Sequence, residues 1–454
     1  MSRPAALQPG LVPGPILEVI RRLQDAGHAA YAVGGAVREL LRGLGTTDWD
    51  VATSAEPAAV TSLFPRVVPT GLKHGTVTVL TGAGPCEVTT FRVEHGYTDA
   101  RHPDRVHFVR SIEEDLARRD FTVNAVAWDP VAGRVVDPFG GAEDLARRVI
   151  RCVGDPLERF REDGLRPIRA ARFAATLEFE IEEETLRAMA GALEQVARVA
   201  AERVREELRR MLGAREPSRG LEALRRSGLL GVWLPELAEC VAVVQNRYHA
   251  YDVYWHTLHT CDAAPAEKPL VRLAALFHDV GKPRTRVERG DGEGTFYNHQ
   301  FVGAEMAEAA MTRLRFPREE IERVAHLVRE HMFDYRPEWT DAAVRRFIRK
   351  VGTEHVADLF DLRLADNRGN GLKQGFPHYL GELADRVNSI LARQEALTVR
   401  DLAIDGHDVM RELGLPAGPG VGSVLERLLE EVLEEPALND RERLLARLRS
   451  GVFR

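Results

Sequence analysis

Two aspartates one residue apart, Asp48 and Asp50, have the residue type and spacing that metal-assisted phosphoryl or nucleotidyl transfer needs. Side chains two residues apart on an extended strand point to the same face, so both carboxylates can hold divalent ions against a triphosphate. Gly34 and Gly35 precede a predicted helix and allow a phosphate to approach the backbone closely. Because most Asp-x-Asp pairs lie in surface turns, the interpretation depends on these glycines and on Arg38, one helical turn further on.

Charged residues further along the chain extend this candidate site. Glu87 lies on a predicted strand over residues 86–93, where it is equally well a third carboxylate of the site or a solvated strand residue. Residues 113–115 are three consecutive acids, which predicts a solvated helix face. The Arg119-Asp120 step leads into apolar residues, so we expect Arg119 near a cleft, in contact with phosphate or sugar.

A third cluster combines one carboxylate with several guanidinium groups. Residues 161–173 predict a helix on which Asp163, Arg166 and Arg169 share one stripe. Such a stripe is common in charged helices, where it forms intrahelical salt bridges. A fixed carboxylate beside a fixed guanidinium also forms a donor/acceptor edge, and such an edge can select a nucleotide base by hydrogen bonding.

A fourth group has the residue types of a metal centre. It comprises His256, the adjacent pair His278 and Asp279, then His299, His331 and Asp366. A lone histidine is more often packed in a core or exposed to solvent than a ligand, but imidazoles and carboxylates in this order favour metal binding. Such ligands suit Mg, Mn, Fe, Ni or Zn, so the sequence leaves the metal open.

Composition places the chain among cytoplasmic proteins. Its 454 residues predict two to four domains, and the net charge of −7 argues weakly against a helical RNA-binding protein without catalysis. The four cysteines lack the spacing of a metal finger or redox pair, which is typical of a reducing cytoplasm. We find neither a signal-like leader nor an apolar run long enough to span a bilayer, so no membrane partner is expected.

The pattern of elements changes once along the chain and predicts an α+β protein. About the first 140 residues mix short strands and helices, and helical periodicity then dominates, with long amphipathic helices expected over residues 183–211 and 424–449. The predicted divisions are a leader with the first helix (1–26), an α/β head (27–141), a helical neck (142–240), a helical body (241–372) and a helical tail (373–454).

Several motifs occur in order over nearly the whole chain. They are VGGAVR at 33–38, DWD at 48–50, EDLARRDFTVNA at 114–125, VDPFGG at 136–141 and EDGLR at 162–166, with looser tail matches at 404–410 and 418–422. With these motifs the chain resembles the class II tRNA nucleotidyltransferases, which are the CCA-adding enzymes, and their bacterial poly(A) polymerase relatives. Within this family, the chain is similar to the members that carry an HD domain.

The resemblance implies a fold and a set of residue roles. The head would be polymerase-beta-like, and the neck, the HD-containing body and the tail would form an elongated helical part that binds tRNA. Asp48 and Asp50 would be catalytic and bind Mg²⁺. The residues that would bind the nucleotide are Gly35, Arg38 and Arg119 at the triphosphate and sugar, Asp163 and Arg166 at the base, and Arg169 and Arg172 lining the same pocket.

The implied activity is template-independent addition of C, C and A to the 3′ end of tRNA from CTP and ATP, with release of pyrophosphate. Its partners would be tRNA, CTP and ATP, with no DNA. Poly(A) polymerase and enzymes that add only A or only CC stay open as alternatives. The segment 92–105 corresponds to a family loop that CC-adding enzymes shorten; here it has full length, which favours CCA or A addition. Glu39 stands where the family has aspartate, and we expect activity to be retained.

The HD group resembles metal-dependent phosphohydrolases. The resemblance implies His256, His278, Asp279 and Asp366 as ligands of Mg²⁺ or a divalent transition metal, with His299 and His331 as further candidates. Such a site could act as a phosphatase or 2′,3′-cyclic phosphodiesterase on RNA ends, or it could be a structural remnant in the tRNA-binding body. The sequence leaves the oligomeric state and the source organism open.

Overall fold

A computed structural model describes residues 7–95, 105–288, 294–373 and 375–453. The chain divides into two compact units, one of Met1–Ala238 with Thr312–Phe316 and one of Glu239–Met311 with Pro317–Arg454. The predicted α/β head followed by a largely helical remainder is confirmed. The finer division into five parts stays a prediction. Within the described ranges, no helix combines the length and the apolarity that a membrane span requires.

The first unit is built on a mixed sheet. Its strands are β1 (Ala30–Val33), β2 (Trp49–Thr53), β3 (Val67–Gly71), β4 (Thr76–Thr81), β5 (Gly84–Thr90), β6 (Arg92–His95), β7 (Arg105–Phe108), β8 (Ala127–Asp129), β9 (Arg134–Val136), β10 (Val149–Ile150) and β11 (Glu180–Ile181). Seven of them form one sheet in the order β3-β4-β5-β2-β1-β8-β9. Only the β2–β5 pair in this sheet is parallel. β6 pairs with β7, and β10 with β11.

The central strands β1 and β2 of this sheet supply much of the apolar core of the head, and β2 also carries a polar residue, Asp50. All four residues of β1 are buried, as expected for a central strand covered on both faces. Tyr31, Val33 and Ala52 form a core with Phe91 and Leu116. This rigid centre supports the neighbouring polar positions of β2, and so fixes the place of the first candidate site.

Helices surround the sheet and continue beyond it. They are α1 (Gly14–Asp25), α2 (Gly35–Leu41), α3 (Pro57–Leu63), α4 (Ile112–Ala117), α5 (Gly141–Arg147), α6 (Pro156–Glu162), α7 (Arg166–Leu177), α8 (Glu183–Ala190), α9 (Leu193–Ala197), α10 (Ala201–Leu212), α11 (Pro217–Arg226), α12 (Leu230–Trp233) and α13 (Pro235–Ala238). Short 3₁₀ helices occupy Pro9–Leu11, Leu72–His74 and Thr122–Asn124. The single helix predicted over 183–211 is wrong, because Gly191 ends α8 and residues 198–200 separate α9 from α10.

The prediction of one continuous helix over residues 161–173 is also wrong. α6 ends at Glu162, and α7 begins three residues after Asp163, which has extended backbone angles. Pro167 lies in the first turn of α7, the place in a helix where proline is tolerated. A Cβ at Gly164 would lie 2.3 Å from the carbonyl oxygen of Gln195, so the close approach of the two segments requires glycine there.

The second unit is almost entirely helical. Its helices are α14 (Val253–Ala263), α15 (Pro269–Phe277), α16 (Lys282–Thr285), α17 (His299–Arg313), α18 (Arg318–Glu330), α19 (Asp341–Val351), α20 (Val356–Gly369), α21 (His378–Ala392), α22 (Gly406–Leu413), α23 (Pro419–Glu434) and α24 (Arg441–Arg449). A short pair of strands, β12 (Val287–Glu288) and β13 (Gly294–Thr295), and 3₁₀ helices at Val399–Asp401 and Pro436–Leu438 complete it. The predicted helix over 424–449 is two helices, because Pro436 interrupts it and Asp440 caps α24.

Candidate active site and metal centre

Asp50 lies on β2, opposite Val33 of β1 and Glu87 of β5. Asp48 is exposed and directly precedes β2. Burial, and then the charges of Asp48 and Glu87, raise the pKa of Asp50 to about 6, while Arg119 opposes the rise. Crowded carboxylates of this kind are stabilised by a cation, so the residues present fit the divalent metal that the sequence predicts.

Gly34 is the glycine that the geometry of this site requires. It precedes α2 with φ of +71°, a backbone conformation that residues with a Cβ rarely adopt. A Cβ there would lie 3.3 Å from Oδ2 of Asp50 and 3.4 Å from Nη1 of Arg119. The family resemblance instead implied Gly35 as the glycine that binds the nucleotide. A Cβ at Gly35 would meet only Nη2 of Arg38, at 3.7 Å.

Gly34→Ala is therefore expected to lower kcat/KM for the nucleotidyl transfer that the sequence motifs imply by about 10²-fold or more, because a displaced carboxylate misplaces the reacting groups. Incorporation of nucleotides at an RNA 3′ end measures the loss, and thermal unfolding monitors the fold. Gly45→Ala is the matched control, because a Cβ there meets nothing within 4 Å. Wild-type turnover in Gly34→Ala would contradict the close approach.

Arg119 is held beside the carboxylates by a buried acid. Its Nη2 donates to Oδ2 of Asp115 at 3.4 Å, and its Nη1 donates to the carbonyl oxygen of Asn124 at 3.3 Å. Arg118 also pairs with Asp115, at 2.8 Å. The prediction of a solvated face over residues 113–115 is thus wrong for Asp115, which is buried because both arginines fold back onto it.

Arg38 lies at the centre of a second set of contacts. Its Nη1 donates to the side-chain carbonyl of Asn124, and its Nε donates to Glu39 at 2.9 Å. Glu39, the residue that departs from the family motif, also accepts from Arg42 at 2.8 Å. The longer glutamate side chain therefore keeps a charge pair with Arg38.

The predicted base-reading pair, Asp163 and Arg166, is fixed by other side chains. Arg203 of α10 donates to both carboxylate oxygens of Asp163, at 3.1 and 2.8 Å. Arg166 donates to Glu162 at 2.5 Å, to the carbonyl oxygen of Arg159 at 3.0 Å and to that of Arg118 at 3.2 Å. Both groups are thus oriented by contacts within the same unit.

Arg169 and Arg172 project from α7 into a chain of charges. Arg169 donates to Asp120 through Nε at 3.0 Å and pairs with Glu207 at 3.4 Å, and Arg172 donates to the same glutamate. Burial alone would raise the pKa of Asp120, but Arg169 and the amide of Asn124 outweigh it and lower the pKa to about 2. Asp120 therefore stays ionised and keeps Arg169 in place.

These contacts join the predicted site residues into one polar network. Asn124 accepts a hydrogen bond from Arg38 and donates one to Asp120 at 2.9 Å. Because Asp120 also accepts from Arg169, these contacts link the head to α7. Phe173 carries three guanidinium groups around its ring; those of Arg38, Arg169 and Arg172 lie 5.2, 5.4 and 3.7 Å from its centroid. Four residues that build this network were not predicted as site residues from the sequence, namely Asn124, Phe173, Arg203 and Glu207.

The HD group lies in the second unit, where α14, α15 and α20 pack together. Gly369 of α20 approaches Thr260 of α14 so closely that a Cβ would lie 2.4 Å from its Oγ1. This packing places Nε2 of His256 3.2 Å from Oδ1 of Asp366 and 3.4 Å from Oδ2 of Asp279. Nε2 of His278 lies 3.2 Å from the same Asp279 oxygen.

Charge dominates the environment of these ligands. Burial by itself would lower the pKa of His256, but Asp279 and Asp366 outweigh burial and raise it to about 9. His299 and His331 lie nearby, with their Nε2 atoms 3.3 Å apart. Buried imidazoles and carboxylates that converge in this way fit a divalent metal.

A cavity of about 360 Å³ adjoins this group. Besides the ligands, its lining includes three cationic side chains, Lys282, Arg363 and Lys373. Lys282 donates to Asp279 at 2.6 Å and to Gln245 at 2.7 Å. Lys282 was not among the residues that the sequence predicted for this group.

Comparison with known proteins agrees with this architecture. Residues 30–151 match the family model of the Poly A polymerase head domain, residues 178–241 match that of the probable RNA and SrmB-binding site of polymerase A, and residues 247–370 match the HD domain. The CCA-adding enzyme of Geobacillus stearothermophilus is 34% identical over 432 residues, which is 95% of each chain. The A-adding tRNA nucleotidyltransferase of Deinococcus radiodurans is 38% identical over 420 residues, 88% of this chain and 91% of the relative.

Among solved structures, the crystal structure of the Bacillus stearothermophilus CCA-adding enzyme in complex with CTP matches with a TM-score of 0.71 at 30% identity, over 97% of this chain and 98% of that one. The fold and the carboxylate site define a nucleotidyltransferase with a poly(A) polymerase type head and an HD domain. More narrowly, the chain belongs to the family of the CCA-adding enzymes, the tRNA nucleotidyltransferases. The resemblance drawn from the sequence motifs is thereby confirmed.

Proposed function

We propose that this protein adds C, C and A to the 3′ end of tRNA from CTP and ATP without a nucleic-acid template. The 3′-hydroxyl oxygen of tRNA bonds to the α-phosphorus of the nucleotide, the bond from that phosphorus to the β-phosphate oxygen breaks, and pyrophosphate leaves with the loss of the hydroxyl proton. Relatives named CCA-adding enzyme, and the structure of one with CTP, support this activity.

In this proposal the residues of the head have separate tasks. Asp48 and Asp50 would hold Mg²⁺, which activates the attacking oxygen and offsets charge on the triphosphate. Arg38 and Arg119 neutralise the triphosphate from positions that Asn124 fixes. The backbone at Gly35 lies beside them, in the first turn of α2.

The neck residues would choose the base. The carboxylate of Asp163 accepts from the amino group that cytosine and adenine share, and Arg166 donates to a neighbouring ring nitrogen. Arg169 and Arg172 line the same pocket around Phe173. The observation that carries the proposal is the polar network of Arg38, Asn124, Asp120 and Arg169, because it joins the triphosphate side to the base-reading side within one unit.

The proposed CCA addition has two alternatives, which differ from it in the nucleotides that are added. A relative at 38% identity is named A-adding, and poly(A) polymerases share the head. The segment 92–105 has the full length that favours CCA or A addition over CC addition, although its residues 96–104 lie outside the described residues. β6 and β7 pair at its base.

The deciding experiment uses purified protein and tRNA that ends in the discriminator base, in C or in CC. Each tRNA is offered CTP, ATP or both, and product lengths are measured on a gel. Addition of all three nucleotides to the shortest tRNA supports CCA addition. Extension only of the CC-ended tRNA would show an A-adding enzyme, and long A tails on other RNA would show a poly(A) polymerase.

A second candidate function belongs to the HD group, which would hydrolyse phosphate esters at RNA ends as a phosphatase or 2′,3′-cyclic phosphodiesterase. The convergence of His256, His278, Asp279 and Asp366 beside a cavity with cationic walls favours it over a structural remnant. A divalent metal held there would polarise the phosphoryl group. Lys282 and Arg363 supply positive charge for the phosphate.

Asp279→Ala tests this second function. We expect it to abolish turnover of 2′,3′-cyclic AMP and p-nitrophenyl phosphate while nucleotide incorporation by the head continues. Asp334→Ala is the control, since Asp334 is 78% exposed and pairs only with Arg336 among the interactions described. Equal hydrolysis by Asp279→Ala and the wild type, or no hydrolysis by either with Mg²⁺, Mn²⁺, Ni²⁺ or Zn²⁺, would contradict the proposal.

A further inference from the structure

The end of α4 is connected to both groups of residues that the proposed function assigns to the nucleotide. The carbonyl oxygen of Arg118, the residue after the helix, accepts a hydrogen bond from Nη2 of Arg166 at 3.2 Å, on the base-reading side. The next residue, Arg119, is on the triphosphate side, because its Nη1 and Oδ2 of Asp50 both lie within 3.4 Å of the point that a Cβ of Gly34 would occupy. Two adjacent residues thus lead to the two sides of the proposed site.

Asp115 of α4 collects the contacts of this turn. Its side chain is 1% exposed, and its Oδ1 accepts from Nε of Arg118 at 2.9 Å. Its Oδ2 accepts from Nη2 of Arg119 at 3.4 Å. Oδ1 also accepts from the backbone N–H of Arg92, the first residue of β6, at 3.3 Å. A buried carboxylate that accepts from three residues holds their donors at fixed distances from one another.

The helix itself is anchored without this acid. Ile112 and Leu116 of α4 belong to the apolar core of the head. The hydroxyl of Ser111 caps the helix by accepting from the backbone N–H of Glu114. Apolar burial and a cap are the usual sources of stability for a helix this short. The carboxylate of Asp115 therefore serves the side chains around it.

The charges around Asp115 leave an excess of positive charge. Two guanidinium groups share one carboxylate, so the three side chains carry a net charge of about +1 at neutral pH. The side chain of Arg119 is 18% exposed, which leaves it accessible to an anionic ligand. Without the carboxylate, the guanidinium groups of Arg118 and Arg119 would repel each other. The charge of Asp115 thus sets where Arg119 lies relative to Arg118.

We propose that Asp115 is a positioning residue that fixes the triphosphate contact of Arg119 relative to the base contact of Arg166, although it touches no part of the nucleotide itself. The inference rests on the nucleotide addition proposed above. Because one nucleotide must meet both arginines at once, a small change in their separation weakens both contacts. The N–H of Arg92 brings β6 into the same arrangement. Choice of the base therefore depends on a carboxylate outside the base pocket.

Asp115→Asn tests this role, because it removes the charge, keeps the shape and leaves an oxygen for the N–H of Arg92. KM for CTP and ATP is expected to rise by about tenfold or more on one tRNA, since hydrogen bonds to charged groups are lost. The preference for CTP and ATP over GTP and UTP is expected to fall by about fivefold or more. Glu114→Gln is the matched control, because Glu114 is the exposed neighbour on the same helix.

Inorganic tripolyphosphate isolates the triphosphate side, because it has no base. As a competitor of CTP incorporation, it is expected to bind about tenfold more weakly to Asp115→Asn and to Arg119→Lys, but as tightly as before to Asp163→Ala. Asp115→Asn/Arg119→Lys should lose little more than the worse single variant, because both changes act on one contact.

The ratios between nucleotides separate positioning from folding. A lower folded fraction reduces incorporation of all four nucleotides equally and leaves their ratios unchanged. Asp115→Glu keeps the charge and should lie between the wild type and Asp115→Asn; it replaces the latter if thermal melts show that Asp115→Asn is unfolded. Wild-type base ratios in the folded variant, or fully additive losses with Arg119→Lys, would overturn the positioning role. A wild type that adds no nucleotide would instead refute the proposed function.

Discussion

Asp50→Asn is expected to lower nucleotide incorporation by about 10³-fold or more. A bound divalent ion contributes several kcal/mol to the transition state, and each 1.36 kcal/mol is a factor of ten. Asparagine keeps the size of the side chain but removes the charge that holds the ion beside Asp48. Single-turnover incorporation of CTP into tRNA at saturating Mg²⁺ measures the change. Activity within tenfold of the wild type would refute the assignment of Asp50 to the catalytic site.

The same substitution is expected to stabilise the metal-free protein. The rise in the pKa of Asp50 from 3.8 to about 6 means that folding penalises the ionised carboxylate, chiefly through burial and then through Asp48 and Glu87. The contribution of protonated Asp50 to the stability of the wild type is therefore fully present below about pH 3.8 and is lost as pH rises through about 6. The penalty above that pH is about 2–3 kcal/mol.

Thermal or urea unfolding as a function of pH measures this effect in the presence of a chelator. Asp50→Asn should exceed the wild type in unfolding free energy near about pH 7.5, and the difference should shrink as pH falls towards about 4.5. Asp25→Asn, at an exposed position at the end of α1, is the control and should show neither the gain in unfolding free energy nor the loss of incorporation activity. If the difference in unfolding free energy between Asp50→Asn and the wild type did not depend on pH, the raised pKa of Asp50 would be contradicted.

The sequence was informative where function depends on local spacing. Asp50 lies on β2 and Asp48 directly precedes that strand, and the charge of Asp48 contributes to the raised pKa of Asp50, so the two carboxylates that the spacing paired are close enough to interact. His278 and Asp279 directly follow α15, and the order of imidazoles and carboxylates to which they belong predicted a metal site. The sequence also indicated an α/β head with helices after it, since the period of the apolar residues changes near residue 142.

Residues whose role depends on a partner from a distant element could not be predicted in this way. Asp115 reads as part of a solvated acidic run, yet Arg118 and Arg119 bury it. Arg203 and Glu207 lie one turn apart on α10, in a stretch where charged pairs at that spacing are common, and nothing local distinguishes them. The choice between Gly34 and Gly35 likewise depends on how closely β2 approaches, which is a tertiary property.

The break at Asp163 illustrates the same limit and changes how Asp163 would be oriented in the proposed selection of the base. A continuous helix would have fixed Asp163 through its neighbours on the same helix. In the structure its carboxylate lies in an extended turn, and Arg203 of α10 orients it through both oxygens. In the proposed function, selection of the base therefore depends on the contact between α10 and this turn, and Arg203 is a positioning residue.

Asp163→Ala is accordingly expected to relax the choice of base far more than it weakens triphosphate binding. The carboxylate accepts from the amino group of cytosine or adenine and repels the carbonyl oxygen that guanine and uracil present there, and one such contact is worth about 1–3 kcal/mol. The ratio of CTP or ATP to GTP or UTP incorporation should fall by about 5- to 150-fold.

Steady-state kcat and KM for all four nucleotides on one tRNA measure this change. In Asp163→Ala the guanidinium of Arg203 loses its partner and attracts carbonyl oxygens, so Asp163→Ala/Arg203→Ala should incorporate less GTP and UTP than the single variant. Arg203→Ala alone should raise KM for CTP and ATP while part of the selectivity remains, because Asp163 is present but no longer fixed. Arg187→Ala, whose side chain is 73% exposed, is the control. Unchanged base ratios in Asp163→Ala would refute the base-reading role, because no other described carboxylate is proposed to meet the base.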